Sequence, residues 1–207
     1  FQRSIMINSY DDLSPVQLDV LKEIGNIGSG NAATALSQLL GRSIDMQVPQ
    51  VRLMDVADAI ESLGSPDKLV VGILIRLKGD ADGMIMFLLE EAFAKTIVTG
   101  IMGERSFSLY DISVLSEIGN IMGGSYVNAI ANLSGMVIDM SVPALTTDML
   151  GAIMTVPATE LSEAYERVLM ISEQFLIDSV EIQSDMLLIP TVESLRTLLG
   201  KLGVEDQ

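Results

Sequence analysis

Two residue pairs carry the chemistry open to this chain: Glu23 with Asn26, and Glu117 with Asn120. Each Asn follows its Glu by three positions, and four positions before each Glu stands another polar residue, Asp19 or Ser113. At about 100° per residue these spacings return to nearly one azimuth of a helix, so each triplet forms a single stripe. An Asn amide can donate to and accept from one water, which fixes that water's line of attack. A Glu carboxylate can pair with a lysine on another molecule. Neither side chain is a natural nucleophile, so the pair suits a reaction whose main machinery arrives with a partner. In-line attack of water on a phosphoryl group is of this kind, being mostly positioning plus charge neutralisation.

An exposed Glu and Asn on one helix, seen once, is the ordinary appearance of a solvated face. Repetition changes the weighing. Glu-Ile-Gly-Asn-Ile occurs verbatim at 23–27 and 117–121, and 16 of 31 positions agree between 19–49 and 113–143 without a gap. Pro49 and Pro143 close the pattern at the same displacement of 94. Neighbours diverged, as Gly28 against Met122 and Ala32 against Tyr126, while Glu and Asn stayed together. The chain therefore reads as an internal duplication.

Composition removes other chemistries. The chain has no histidine, which excludes His-based general bases, Ser-His-Asp and Cys-His arrangements and His-ligated zinc. It has no cysteine, in keeping with a cytoplasmic location. A net charge of −16 argues against nucleic-acid partners and anionic membrane surfaces. No apolar run approaches the ~18 residues of a membrane span, and no signal-peptide pattern opens the chain.

The elements that position the stripes are marked by their ends. Residues 1–12 read as a poorly ordered lead-in. Ser14 is the expected N-cap of the first long helix, with Pro15 at its first position, Gln17 completing a capping box, and Leu13 and Leu18 at hydrophobic-staple spacing. Ser108, Asp111, Phe107 and Ile112 repeat this in the second half. Gly41 and Gly135 suit the left-handed stop of each helix. The buried stripe should run through Leu21, Ile24, Gly28, Ala32, Ala35 and Leu39, and in the second helix through Leu115, Ile118, Met122, Tyr126, Ala129 and Leu133. Gly25 and Gly28 suit close packing on the buried side. Gly30, on the polar stripe, suits close approach of a partner.

A short strand should precede each proline, at 44–48 and 138–142. Residues 52–63 read as a short helix, weakly echoed at 146–154. Strands at 69–77 and 84–89 flank a turn at 79–83, and a helix spans 90–102. The second half should hold a hairpin of 168–177 and 180–189 with Asp178 and Ser179 at its tip, then a helix over 191–202. The expectation is an α+β single domain over 1–207, built of two pseudo-twofold halves (about 13–103 and 107–203). Its sheet should be largely antiparallel, with both long helices on one side exposing their stripes. The glycines at 25, 28 and 30 lack the preceding strand and the Lys-Ser/Thr of a phosphate loop. Asp80 and Asp82 suit turn formation rather than metal binding, and the methionines suit core filling.

The spaced pattern Asp/Ser, three residues, Glu, two residues, Asn, twenty-two residues, Pro resembles the signature of the CheC/CheX/FliY phosphatases of chemotaxis. Asp19-Glu23-Asn26-Pro49 and Ser113-Glu117-Asn120-Pro143 both satisfy it. Two intact motifs, and no room after Gly203 for a flagellar-switch domain, are similar to the CheC branch rather than to CheX or FliY. The resemblance implies a hydrolase acting on the aspartyl phosphate of the response regulator CheY, which would supply Mg2+ and a lysine; no metal site of the chain's own is implied. Asn26 and Asn120 would orient the water, and Glu23 and Glu117 would pair with the lysine. Asp19 and Ser113 would support docking, and Pro49 and Pro143 would be structural. CheD is implied as a second partner, with Asp148 in 147–150 as a candidate contact. The internal repeat suits a monomer. The alternatives are a CheD-binding adaptor and a CheX- or FliY-type relative.

Overall fold

A computed structural model describes residues 7–103, 109–160, 167–177 and 180–204. Two helices of 26 residues dominate: α1 (Pro15–Leu40) and α4 (Leu109–Ser134). Ser14 caps α1 as expected: its hydroxyl accepts from the Gln17 N–H while the Gln17 side chain accepts from the Ser14 N–H at 2.9 Å. Gln17 is buried, and its amide also donates to the Val204 carbonyl at 2.8 Å. Both helices stop at a left-handed glycine, Gly41 (φ 61°) and Gly135 (φ 70°). Phe107 and Ser108 lie outside the described residues.

The order of elements recurs after each long helix. Strands β1 (Ile44–Met46) and β2 (Gln50–Asp55) lead into α2 (Val56–Leu63), the hairpin β3 (Leu69–Gly79) and β4 (Gly83–Glu90), and α3 (Glu91–Met102). After α4 come β5 (Ile138–Met140), β6 (Ala144–Met149), the short α5 (Leu150–Ile153) and α6 (Thr155–Glu160), the hairpin β7 (Arg167–Ile177) and β8 (Val180–Pro190), and α7 (Val192–Lys201). All described pairings are antiparallel, in the order β1-β7-β8-β4-β3-β5, with β2 also on β7 and β6 also on β3.

That order carries a feature with large consequences. β1 and β2 pair with β7, and β5 and β6 pair with β3. Each half thus donates its edge strands to the other half's hairpin. Neither half completes its own sheet, so the two form one cooperative unit, an α+β domain with pseudo-twofold organisation. One face of the sheet carries α1, α3, α4 and α7 over a core centred on Ile73, Phe87, Ile171 and Phe175. The other face is covered by α2 and α5 over Met84, Met86, Met170 and Leu187.

Three expectations need correction. Residues 50–55 and 144–149 are strands; the helices begin only at Val56 and Leu150, because Gln50 to Asp55 find a ladder on β7 that the local sequence does not announce. The lead-in is packed from Ile7 onward. Ile7, Tyr10 and Leu13 are buried, Tyr10 Oη donates to the Pro190 carbonyl at 2.7 Å, and Asp11 and Asp55 both pair with Arg167 (2.9 and 3.2 Å). The first strand of each half ends at Met46 or Met140 rather than running to the proline. The hairpin tip at Asp178 and Ser179 lies outside the described residues. Asp80 lies in the bend between β3 and β4, and its carboxylate accepts from the Val137 N–H at 2.9 Å, tying that bend to the residue before β5.

Candidate functional site

The helices put the stripes where the spacing requires, except that Leu39 and Leu133, expected on the buried side, are exposed in the last turns of α1 and α4. Leu21, Ile24, Gly25, Gly28 and Ala32 are buried, while Asp19 and Glu23 are exposed and Asn26 is half-buried. In α4, Leu115, Ile118, Met122 and Tyr126 are buried, Ser113 and Glu117 are exposed and Asn120 is half-buried. Among the described residues, nothing holds the side chain of Glu23, Asn26, Glu117 or Asn120 in a hydrogen bond or ion pair. Asp19 differs, pairing with Lys22 at 2.9 Å. The counterpart positions, Ser113 and Ser116, carry no charge.

The depth of each stripe is set by the glycine between Glu and Asn. A Cβ at Gly25 would lie 2.8 Å from Val51 Cγ2, and one at Gly119 would lie 2.7 Å from Ile73 Cγ2. Any side chain there would lift the helix from the sheet and carry Glu and Asn with it. At Gly28 the Tyr126 ring fills the place a Cβ would take, so both helices are in close contact there. Gly30 has nothing within 4 Å of a would-be Cβ, so internal packing gives no reason for it.

The prolines sit in matching bulges. Met46 faces Phe175 and Gln50 faces Ser172, so three residues (47–49) oppose two. Met140 faces Leu77 and Ala144 faces Leu74, so 141–143 do the same. Proline is tolerated there because a bulge relieves it of a ladder hydrogen bond. Both prolines are buried, and Pro143 Cβ lies 3.5 Å from the Cβ position of Gly119, beneath the Glu117–Asn120 turn. The bulge therefore braces the motif helix from below. Asp148 is exposed on β6, away from either stripe in sequence, and its carboxylate accepts from the Met149 N–H at 2.8 Å.

One buried polar chain escaped the sequence reading. Tyr126 Oη donates to Glu173 Oε1 and lies 2.7 Å from Ser29 Oγ, joining α4, β7 and α1. Burial pushes the Glu173 carboxyl up to about 7. Burial, and then the facing Glu173 charge, raise the Tyr126 hydroxyl well above its usual range. Burial also raises Asp185. The signal was present: Glu173 alternates with Ile171, Phe175 and Ile177 on the inward face of β7. Among the described residues no group of three acidic side chains is placed to hold a metal ion, and no helix is long and apolar enough to cross a membrane.

The architecture, one antiparallel sheet under two motif helices, is shared with solved proteins. Thermotoga maritima FliY matches with a TM-score of 0.73 at 22% identity, over 93% of this chain and 98% of that one. The FliM middle domain from H. pylori matches at 0.68 and 16% identity, over 91% and 99%. At these identities the likeness defines the fold class. The sequence goes further: this chain belongs to the CheC-like family. The family model matches residues 16–52 and 112–146, which contain both stripes and both prolines. The CheY-P phosphatase CheC of Bacillus subtilis is 32% identical over 203 residues, 94% of this chain and 97% of that protein. The flagellar motor switch phosphatase FliY of the same organism is 29% identical over 143 residues, 66% of this chain and 37% of that protein.

Proposed function

We propose that this chain is a phosphatase that accelerates hydrolysis of the aspartyl phosphate on a CheY-type response regulator. The observation that carries the reading is the pair of exposed Glu-Asn stripes on α1 and α4, whose side chains have no intramolecular partner among the described residues and are free to engage another molecule. Kinship with the CheY-P phosphatase CheC supports the substrate. On docking, Asn26 or Asn120 enters beside the phosphoryl group and holds the attacking water in line. Glu23 or Glu117 pairs with a lysine of the regulator and draws it into register. The regulator brings Mg2+, which neutralises the developing charge. This chain contributes position, and the helix is rigid enough to supply it because Gly25 and Gly119 seat it directly on the sheet. The two stripes on one chain let a monomer in the cytoplasm engage a regulator at either helix.

The test is phosphate release from acetyl-phosphate-charged CheY with Mg2+, with and without this protein. The wild type accelerates release, N26A and N120A each retain part of the acceleration, and the double variant loses all of it while melting like the wild type. Full activity in the double variant would overturn the assignment.

CheD is a second partner in this proposal, docking around Asp148. Exposed Met149 beside it, and exposed Leu69 directly across the ladder, support an apolar contact with an acidic edge. If the chain instead acts mainly as a CheD-binding adaptor, D148A disturbs signalling and the Asn double variant does not.

A further inference from the structure

Each motif helix carries a glycine at a half-buried position where packing does not ask for one. Gly30 lies four residues after Asn26 in α1, and Gly124 lies four after Asn120 in α4. At that spacing each shares the face of its Asn, about 6 Å further along the helix axis. A Cβ at Gly30 would meet nothing within 4 Å, and one at Gly124 would meet only the tip of Met140, at an ordinary contact distance of 3.7 Å. Gly25, Gly28, Gly119 and Gly123 differ, since a Cβ at each would lie 2.8 Å or less from a neighbouring side chain. Neither Gly30 nor Gly124 has a positive φ. Alanine would fit both places and would favour the helix. Both are glycine nonetheless, while the positions beside them have diverged: Ser29 against Gly123, and Asn31 against Ser125.

The direction of helical side chains gives these glycines a use. Every Cα–Cβ bond of a helix tilts toward the N-terminus, so a residue covers the surface over the turn before it. A side chain at position 30 would lean over Asn26 and Ile27, and one at position 124 over Asn120 and Ile121. Glycine leaves both turns uncovered. Ile27 and Ile121 are themselves repeated and half-buried, so the uncovered surface pairs one amide with one partly open apolar side chain in each half. The vacated place adjoins the Asn through helix geometry alone, within one continuous helix.

We propose that Gly30 and Gly124 are docking positions, each omitting a side chain so that the response regulator can close over the turn that carries Asn26 or Asn120. The inference rests on the phosphatase reading above and deepens it, extending the contact face one turn beyond the amide. The occupant is the molecule that the amide serves, because whatever brings a phosphoryl group to Asn26 must also fill the space over residues 26–30. Glycine weakens a free helix relative to alanine, and close approach of the partner's backbone is what that weakness permits.

The competing account is a flexible joint in the helix, which any side chain would stiffen equally. Side-chain size separates the two. In an N120A background, where only the first site acts, G30A and G30L are compared with their parent. The measurements are kcat/KM for phosphorylated CheY, Kd for beryllofluoride-activated CheY, and melting curves. The mirror series, G124A and G124L in N26A, reads the second site. Docking predicts that Ala lowers kcat/KM about fivefold and Leu about fiftyfold, the range expected for overfilling a close contact, with Kd weakened in step. Both variants should melt at or above the parent, because Ala and Leu are better helix formers than Gly. A glycine needed for internal packing would instead lower the melting temperature when replaced, and that result overturns the docking role. Equal losses with Ala and Leu overturn it in favour of the joint, and unchanged kcat/KM and Kd in both overturn it outright while the phosphatase reading survives. If the wild type binds activated CheY without accelerating release, the phosphatase reading fails alone and the series is judged on Kd. A wild type that does neither overturns both.

Discussion

The two halves keep the same Glu and Asn on their outer stripes but fill the contact between helix and sheet differently. On the outside, Glu23 and Asn26 repeat as Glu117 and Asn120, and Val48 repeats as Val142. On the inside the equivalents part company. Val51 pairs with Ile171 and Leu145 with Ile73, so β7 and β3 are matched strands, and Glu173 stands where the first hairpin has Ile75. Ser29 of α1 looks towards Glu173 through Tyr126, whereas its equivalent in α4, Gly123, presses on Ile75, with a would-be Cβ 2.6 Å from Ile75 Cδ1. One contact between helix and sheet is polar and the other apolar. Gly28 and Tyr126 form a small-large pair, and their counterparts Met122 and Ala32 are both fully buried.

The difference teaches what constrained each surface. A core needs only to be filled and satisfied, and two unlike solutions do that equally well. A face read by one external partner has no such freedom, because the partner offers the same counterpart to both helices. Glu and Asn persist on both stripes while exposed Asp19 and Lys22 became Ser113 and Ser116, a selective retention in keeping with the function proposed above.

Placing the second half's polar group in the first half should break the comparison most severely. I75E would bury a carboxylate against Gly123 with no Tyr or Ser to meet it. The expected loss is about 3–5 kcal/mol, read as a large fall in the denaturation midpoint. Unchanged stability would mean that the Tyr126 and Ser29 contacts are not what makes Glu173 tolerable.

E173Q sharpens the same contrast through pH. The folded carboxyl sits at about 7 against 4.5 for the free group, so the folded state keeps a proton that the unfolded state releases between those values. Its stabilisation is complete below about pH 4.5 and is lost as pH rises through about 7. Removing the titration should raise the stability of E173Q relative to wild type by about 3 kcal/mol on going from pH 4.5 to 8. Asp185, raised in the same direction, leaves a residual slope in both proteins. Parallel stability curves would show that Glu173 does not titrate there.

The smallest effect concerns the charged pair that only the first motif helix carries. D19S/K22S converts the first stripe into the second. The Asp19–Lys22 pair is largely exposed, with side chains 71% and 52% accessible, so it contributes well under about 1 kcal/mol. Stability should hold, and KM in an N120A background, where only the first site acts, should move less than about fivefold. A larger shift would assign Asp19 or Lys22 a direct contact with the regulator.

Much of this was legible from residue order because the signals are local. Ser14, Pro15 and Gln17 mark a helix start by the hydrogen bonds they can make within three residues, and Gly41 and Gly135 mark its end by the backbone angles they permit. The stripes follow from helical period alone. The strands at 50–55 and 144–149 were not legible, since each runs without a break into the helix that follows, and only the ladders on β7 and β3 hold them extended. The packing of Ile7 and Tyr10 was missed for the same reason: their partners, Pro190 and Arg196, lie about 180 residues away.

Sequence by itself determined that the chain carries one polar constellation twice, on two long helices, and that its chemistry must lean on a partner. Side-chain type and helical spacing are enough for that. Tertiary structure alone decided that each half lends β1–β2 or β5–β6 to the other's hairpin, that Gly25 and Gly119 set the height of the stripes, and that Tyr126 ties Ser29 to Glu173. Those facts depend on which backbone groups meet across the sheet, and strand pairing between residues 59 to 133 positions apart leaves no mark in local order.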